Sequence, residues 1–198
     1  MASIVVGVTG KYCSGKSLVA KNLNLSGSVE IDVDFLGHKA LNNCKEEISN
    51  RFGDKVLIDN KIDRRILSSV VFSDSSALRD LEGIVHPEMV SMVEKCIADT
   101  AGVVVIHAAL LYRMKLDLLC DLIVWVEAPF IIRFLRGLKR NSCQWLKVIR
   151  IMRAQYDVIK SGGNSTKPVL EINNTGNVNN LIINVKNIVK SHPTLKKH

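Results

Sequence analysis

Residues Gly10-Lys11-Tyr12-Cys13-Ser14-Gly15-Lys16-Ser17 match the pattern G-x-x-x-x-G-K-[ST], and they directly follow the β-branched run Ile4-Val5-Val6-Gly7-Val8. A strand that feeds such a loop, with a helix after it, cradles phosphate groups on main-chain amides. Gly10 and Gly15 let the backbone curl so that successive N–H groups point at phosphate oxygens, with Cys13, Ser14 and Leu18 completing the cradle. Lys16 is spaced to reach β- and γ-phosphates, and the Ser17 hydroxyl to ligate Mg²⁺. A helix is expected to start within 14–16, its positive dipole end toward the phosphates. The expected ligands are therefore ATP and Mg²⁺.

The 198 residues, 47% hydrophobic with only 4 prolines, suit a single α/β domain carrying helical additions. No window has the ~18 uncharged apolar residues of a membrane span, and Met1-Ala2-Ser3 leads into a strand without a basic prelude, so a cytoplasmic protein is expected. Five scattered cysteines without a C-x-x-C pair argue against a disulfide framework or a zinc site. Cys13, at the start of a helix, is a candidate redox-sensitive thiol. The formal charge of +8 collects in Arg133, Arg136, Lys139, Arg140, Lys147, Arg150 and Arg153, and again in Lys186, Lys190, Lys196 and Lys197. Neither set is interleaved with aromatics as in single-strand binders, so small polyanionic substrates are expected rather than nucleic acid or membrane. The sequence leaves the oligomeric state open, with a monomer favoured.

Short apolar runs at 4–8, 28–33, 103–107, 122–126 and 169–172 read as five strands covered on both faces. Helical stretches between them imply a parallel sheet with right-handed crossovers, the three-layer P-loop sandwich. The core is expected in 1–34, 100–130 and 167–190. Residues 35–99 exceed one crossover and read as a helical acceptor-binding insert over the carboxyl ends of the strands, with helices at 44–52, 64–72, 75–85 and 87–99. Asp74-Ser75-Ser76 and His86-Pro87 look like helix starts, Pro87 at a first helical position. A second addition at 130–160 reads as a basic helical lid, 130–140 and 143–160 joined through Asn141-Ser142 as a cap, closing over the triphosphate. Residues 161–166 read as a flexible turn. Trp125 is expected in the core and Trp145 in lid packing.

Asp32 and Asp34 close the second strand in Glu30-Ile31-Asp32-Val33-Asp34, and strand periodicity would put both carboxylates on one side. Such a group can orient an attacking hydroxyl, take its proton, or hold Mg²⁺ through water. Asp34 is the chosen candidate, and Asp32 the one more open to a helix-capping role.

In this order and spacing the residues resemble dephospho-coenzyme A kinase. The likeness runs from Val8-Thr9-Gly10 and Ser14-Gly15-Lys16-Ser17 through Ile31-Asp32-Val33-Asp34, Phe52-Gly53, Ile62-Asp63-Arg64-Arg65, Val71-Phe72-Ser73-Asp74 and Val85-His86-Pro87. It continues in Leu110-Leu111, Glu127-Ala128-Pro129, 136–140, Ala154-Gln155 and Asn173-Asn174-Thr175-Gly176. The resemblance implies transfer of the ATP γ-phosphoryl group to the ribose 3′-hydroxyl of dephospho-coenzyme A, the last step of coenzyme A biosynthesis. By it, Asp34 orients the hydroxyl or takes its proton, Lys16 and the loop hold ATP, and Ser17 holds Mg²⁺. Arg140 offsets charge on the transferring group, Arg64, His86 and Leu110 frame the acceptor, and Asn174 with Gly176 lie beside the adenine. The alternatives are a P-loop nucleoside or nucleotide kinase with another acceptor, or a catalytically decayed nucleotide-binding protein. A GTP switch lacks its N-K-x-D motif after the fourth strand.

The departures from that family are local. Lys11, Tyr12, Cys13 and Leu18 replace a Gly, an Ile, a Gly and a Thr of the usual loop, and Cys13 in place of Gly needs either a negative φ or strain. Ala109-Leu110-Leu111-Tyr112-Arg113 stands where P-L-L-x-E is common. His107 ends a strand where many P-loop enzymes carry an acidic partner of Mg²⁺-bound water, and it reads as a hydrogen-bonded core histidine.

Overall fold

A computed structural model describes residues 4–23, 28–71, 74–155, 158 and 166–191. Along the chain run β1 (Ile4–Thr9), α1 (Lys16–Asn22), β2 (Val29–Asp32), α2 (Val33–Asn43), α3 (Lys45–Phe52), β3 (Leu57–Ile58), β4 (Lys61–Ile62), α4 (Arg64–Val71) and α5 (Ser75–Ala98). After them come β5 (Val103–His107), β6 (Leu122–Glu127), α6 (Phe130–Arg140), α7 (Trp145–Ala154), β7 (Val169–Asn173) and α8 (Val178–Ser191). Packing divides the chain into two units, 1–32 with 96–198, and Val33–Lys95.

The first unit holds a five-stranded parallel sheet in the order β2-β5-β1-β6-β7, as the five apolar runs predict. Because strand side chains alternate, Val6 and Val8 of β1 join Val105, Val124 and Val126 on one face, beneath Val19 and Ala20 of α1 and Leu181 and Val185 of α8. Gly7 turns to the other face, where an added Cβ would lie 2.7 Å from Cys120 Sγ and 3.2 Å from Leu111. Both faces of the central strands β5, β1 and β6 are covered, which explains their nearly unbroken apolar runs, whereas the edge strands β2 (Val-Glu-Ile-Asp) and β7 (Val-Leu-Glu-Ile-Asn) carry exposed polar residues. With β1 at the centre of the sheet, its carboxyl end opens where open α/β sheets bind ligands.

In the second unit, Asp63 Oδ1 accepts the N–H groups of Arg65 (2.8 Å) and Ile66 (3.0 Å) and so starts α4. Asp74 does the same for α5 through Ser76 N at 2.7 Å. A β3–β4 hairpin, absent from the helical reading of 35–99, turns on Asp59 (φ 49°) and Asn60 (φ 60°). The helix start expected at Pro87 is not there: α5 runs through it. Ala77, Val85, Met89 and Val93 form one buried stripe on both sides of the proline, and this burial holds the helix together despite one lost hydrogen bond.

The second helix of the expected lid is Trp145–Ala154, shorter than the expected 143–160. Asn141 caps the C-terminus of α6 and not the start of α7: its Nδ2 donates to Gly137 O at 3.0 Å, and the N-cap of α7 is Gln144. Trp125 is core at 1% exposure, whereas Trp145 is 55% exposed rather than packed. Met1-Ala2-Ser3, Phe72-Ser73, the turn at 161–165 and the basic tail at 192–198 lie outside the described residues. Among the described residues no helix is long and apolar enough to cross a membrane.

Candidate functional site

The loop after β1 is built around two glycines that accept no side chain. At Gly10 (φ 147°) a Cβ would meet the Val126 carbonyl oxygen at 2.3 Å, and at Gly15 (φ 104°) it would meet Asn174 Nδ2 at 2.2 Å. Gly15 is also the residue from which α1 starts, with Lys16 as its first helical position. Cys13 lies in the left-handed region at φ 58°, so the position keeps a glycine-type conformation with a side chain and carries the strain. The Ser14 and Thr9 hydroxyls are buried without a hydrogen-bond partner. Lys16 is buried, its ammonium donating to Lys11 O at 3.1 Å across the loop. Ser17 and Leu18 follow on the first turn of α1, Ser17 exposed and Leu18 half-buried.

Three side chains brace this loop from elsewhere in the first unit. Buried Asn174, just beyond β7, donates from Nδ2 to Ser14 O at 2.7 Å. Arg136 of α6 donates to Cys13 O (3.4 Å) and Ser14 O (3.5 Å), and to Asn174 Oδ1 (3.1 Å). The Tyr12 hydroxyl accepts from Asn141 Nδ2 at 2.6 Å, while its ring sits 3.2 Å from where a Gly137 side chain would begin. Burial pushes the Tyr12 phenol up, and the Asn141 bond works against that shift. Sequence reasoning selected Arg140 from this helix and passed over Arg136. The R-x-x-x-R spacing, which sets both guanidinium groups on one helix face, is the signal that finds it. Arg140 itself is exposed in the last turn of α6, and Gly176 is exposed in the turn before α8.

Asp32 and Asp34 do not share a strand face, because β2 ends at Asp32 and the backbone becomes helical at Val33. Asp34 therefore stands in the first turn of α2, where strand periodicity no longer applies. Asp32 is the register partner of His107, and its Oδ1 lies 3.7 Å from His107 Nδ1. The other ring nitrogen, Nε2, is 3.1 Å from Ser17 Oγ. His107 is thus bonded through one nitrogen only, since buried Nδ1 has no partner at hydrogen-bond distance.

Within the second unit, Asp34, Arg64 and His86 line one cavity of about 290 Å³ together with His38, Leu67 and Met89. Carboxylate, guanidinium and imidazole groups over an apolar floor suit a polar ligand with an anionic part. His38 was missed from the sequence. It lies four residues after Asp34 on α2, one helical turn away on the same face. Leu110, the remaining acceptor-side candidate, belongs to the first unit: it is half-buried in the turn after β5, its carbonyl accepting from Met114 N at 3.0 Å.

The model of the family described as dephospho-CoA kinase matches residues 4–177 of this chain. A dephospho-CoA kinase of Borreliella burgdorferi is 41% identical over 128 residues, 63% of this chain and 62% of that protein, so the match spans about three fifths of that relative's length. A dephospho-CoA kinase of Thermus thermophilus is 33% identical over 179 residues, 90% of this chain and 86% of that protein. A crystal structure from Thermus thermophilus superposes with a TM-score of 0.77 at 30% identity, covering 96% of this chain and 98% of that one.

Proposed function

This chain belongs to the dephospho-CoA kinase family, and from that premise we propose that it transfers the ATP γ-phosphoryl group to the ribose 3′-hydroxyl of dephospho-coenzyme A. The observation that carries the reading is the cavity bearing Asp34, Arg64 and His86 in a chain whose phosphate loop is complete from Gly10 to Ser17. The loop amides, the Ser14 hydroxyl and Lys16 bind the ATP phosphates, with Cys13 and Leu18 contributing backbone. Asn174 and Gly176 flank the base. Arg64 and His86 orient the acceptor, with Leu110 a further acceptor contact, and Asp34 takes the proton of the attacking hydroxyl. Arg140, joined by Arg136, offsets charge that builds on the transferring group, which needs positioning and cationic stabilisation more than covalent help.

Mg²⁺ fits here, because the exposed Ser17 hydroxyl and the half-exposed Asp32 carboxylate supply the oxygen donors a hard cation takes. Ser17 would ligate it, and a bound Mg²⁺ would supply neutralisation of phosphate charge. In the same reading, 35–99 serves acceptor binding, 130–160 acts as the lid, the substrates are small molecules, and the protein is cytoplasmic.

The test is ATP consumption with Mg²⁺ and dephospho-coenzyme A, with adenosine, AMP and dCMP in parallel. Turnover confined to dephospho-coenzyme A is expected. Turnover on another member of the panel reassigns the acceptor, and nucleotide binding without any turnover marks a decayed enzyme.

A further inference from the structure

The mechanism above leaves a buried imidazole unused. His107 ends β5 between Val8 of β1 and Asp32 of β2, and its side chain is 5% exposed. Its Nε2 lies 3.1 Å from the Ser17 hydroxyl oxygen and its Nδ1 lies 3.7 Å from Asp32 Oδ1. Carboxylate, imidazole and hydroxyl therefore follow one another across the carboxyl ends of two strands and the first turn of α1.

We propose that His107 is a positioning residue for the divalent cation: its Nε2 accepts a hydrogen bond from the Ser17 hydroxyl, and the Asp32 carboxylate, 3.7 Å from Nδ1 and beyond hydrogen-bond reach, biases the ring electrostatically toward the tautomer that does so. The inference rests on the phosphoryl-transfer reading and deepens it. A hydroxyl that ligates a cation gives its oxygen lone pairs to the metal, so its proton must point elsewhere. A neutral imidazole has one acceptor nitrogen and one N–H. A carboxylate can only accept, so Asp32 favours the tautomer with the proton on Nδ1, which leaves Nε2 as the acceptor for Ser17. The hydroxyl proton is thereby drawn toward the buried ring, which leaves the lone pairs of the Ser17 oxygen for a cation. Partners of this kind set ligand orientation, and their loss costs ~10- to 100-fold in metal affinity.

The test is direct binding of a fluorescent non-hydrolysable ATP analogue, measured in EDTA and again across a Mg²⁺ titration, for the wild type and for His107→Leu, His107→Gln and Asp32→Asn. In the wild type Mg²⁺ tightens analogue binding. His107→Leu should need ~10-fold more Mg²⁺ for the same tightening while its affinity in EDTA stays unchanged. His107→Gln, which keeps an acceptor near the Nε2 position, should restore most of the Mg²⁺ response, and Asp32→Asn should weaken it. A packing role alone would lower binding equally with and without Mg²⁺, and that result overturns the proposal. So does an unchanged Mg²⁺ response in His107→Leu or, should that variant fail to fold, a loss of Mg²⁺ response on Asp32→Asn that is the same in the His107→Gln background as in the wild type, since Asp32 would then act on the cation without the imidazole. A wild type that binds no analogue in either condition removes the nucleotide reading itself, an outcome distinct from failure at His107.

Discussion

Asp34 is the residue on which the proposed chemistry depends most, because a hydroxyl is a weak nucleophile until a nearby group takes or orients its proton. It stands exposed in the first turn of α2 and lines the cavity with Arg64 and His86. Asp34→Asn keeps size and shape but cannot accept the proton. Turnover should fall by ~10²- to 10⁴-fold while ATP affinity stays within about twofold, since the phosphate loop is untouched. A kcat near wild type, with equilibrium binding as the control, would remove Asp34 from the mechanism. The loop was legible in the sequence because its glycines answer to local backbone geometry, which leaves a fixed spacing. Asp34 was selected for a partly wrong reason: strand periodicity paired it with Asp32, but the chain changes conformation at Val33. Arg136 and His107 were not legible as contacts, because both depend on which segments meet in three dimensions. Arg136 reaches Cys13 O across 123 positions of sequence, and His107 reaches Ser17 across 90.

At the scale of elements, strong local signals survived and weak ones did not. The central parallel strands β5, β1 and β6 are nearly continuous apolar runs, and Asp63 and Asp74 announce α4 and α5 by capping them. Helix α8 was not foreseen, because its buried pair Leu181 and Val185 follows an asparagine-rich stretch that reads as compositional bias. Helix α2 buries only Val33 and Ala40, too thin a stripe to declare a helix face. The segment from Leu116 to Cys120 yields a test of how the sheet is covered. Cys120 is fully buried beside Gly7, donates from Sγ to Leu116 O at 3.3 Å, and is pushed up to about 12, by burial first and then by the Asp117 charge. Since the folded thiol titrates above its ordinary value of 9.0, its contribution to stability is complete below that pH and is lost as pH rises toward 12. Denaturation midpoints should therefore fall between about pH 9 and 10, before Tyr112, itself pushed up from 10.0 to about 12, adds to the decline. Cys120→Ala should flatten that first segment. An equal slope in the variant would show that the alkaline loss originates elsewhere.

For the molecule as a whole, ligand binding and folding are linked, so the nucleotide reading makes a prediction about stability that needs no turnover. A ligand that binds only the folded chain at ~100 times its Kd adds ~2.7 kcal/mol. In a chain of this size each kcal/mol moves the unfolding midpoint by ~2–4 °C, so saturating Mg²⁺-ATP should raise it by ~5–10 °C. Lys16→Ala should lose most of that rise, because it removes the buried ammonium that Lys11 O holds across the loop at 3.1 Å. The substitution removes a charge buried to 8% exposure, so the unliganded midpoint is the reference for each protein, and the ligand-induced shift is the quantity compared. In the proposed function dephospho-coenzyme A binds a different part of the chain, the cavity of the unit Val33–Lys95, which Lys16 does not line. Its own shift should therefore persist in Lys16→Ala and diminish in Arg64→Ala, while Mg²⁺-ATP behaves in the opposite way. Differential scanning fluorimetry of the three proteins against the two ligands separates these effects. If Lys16→Ala abolished both shifts equally, the two ligands would share a determinant, and the division of ATP and acceptor binding between loop and cavity would have to be abandoned.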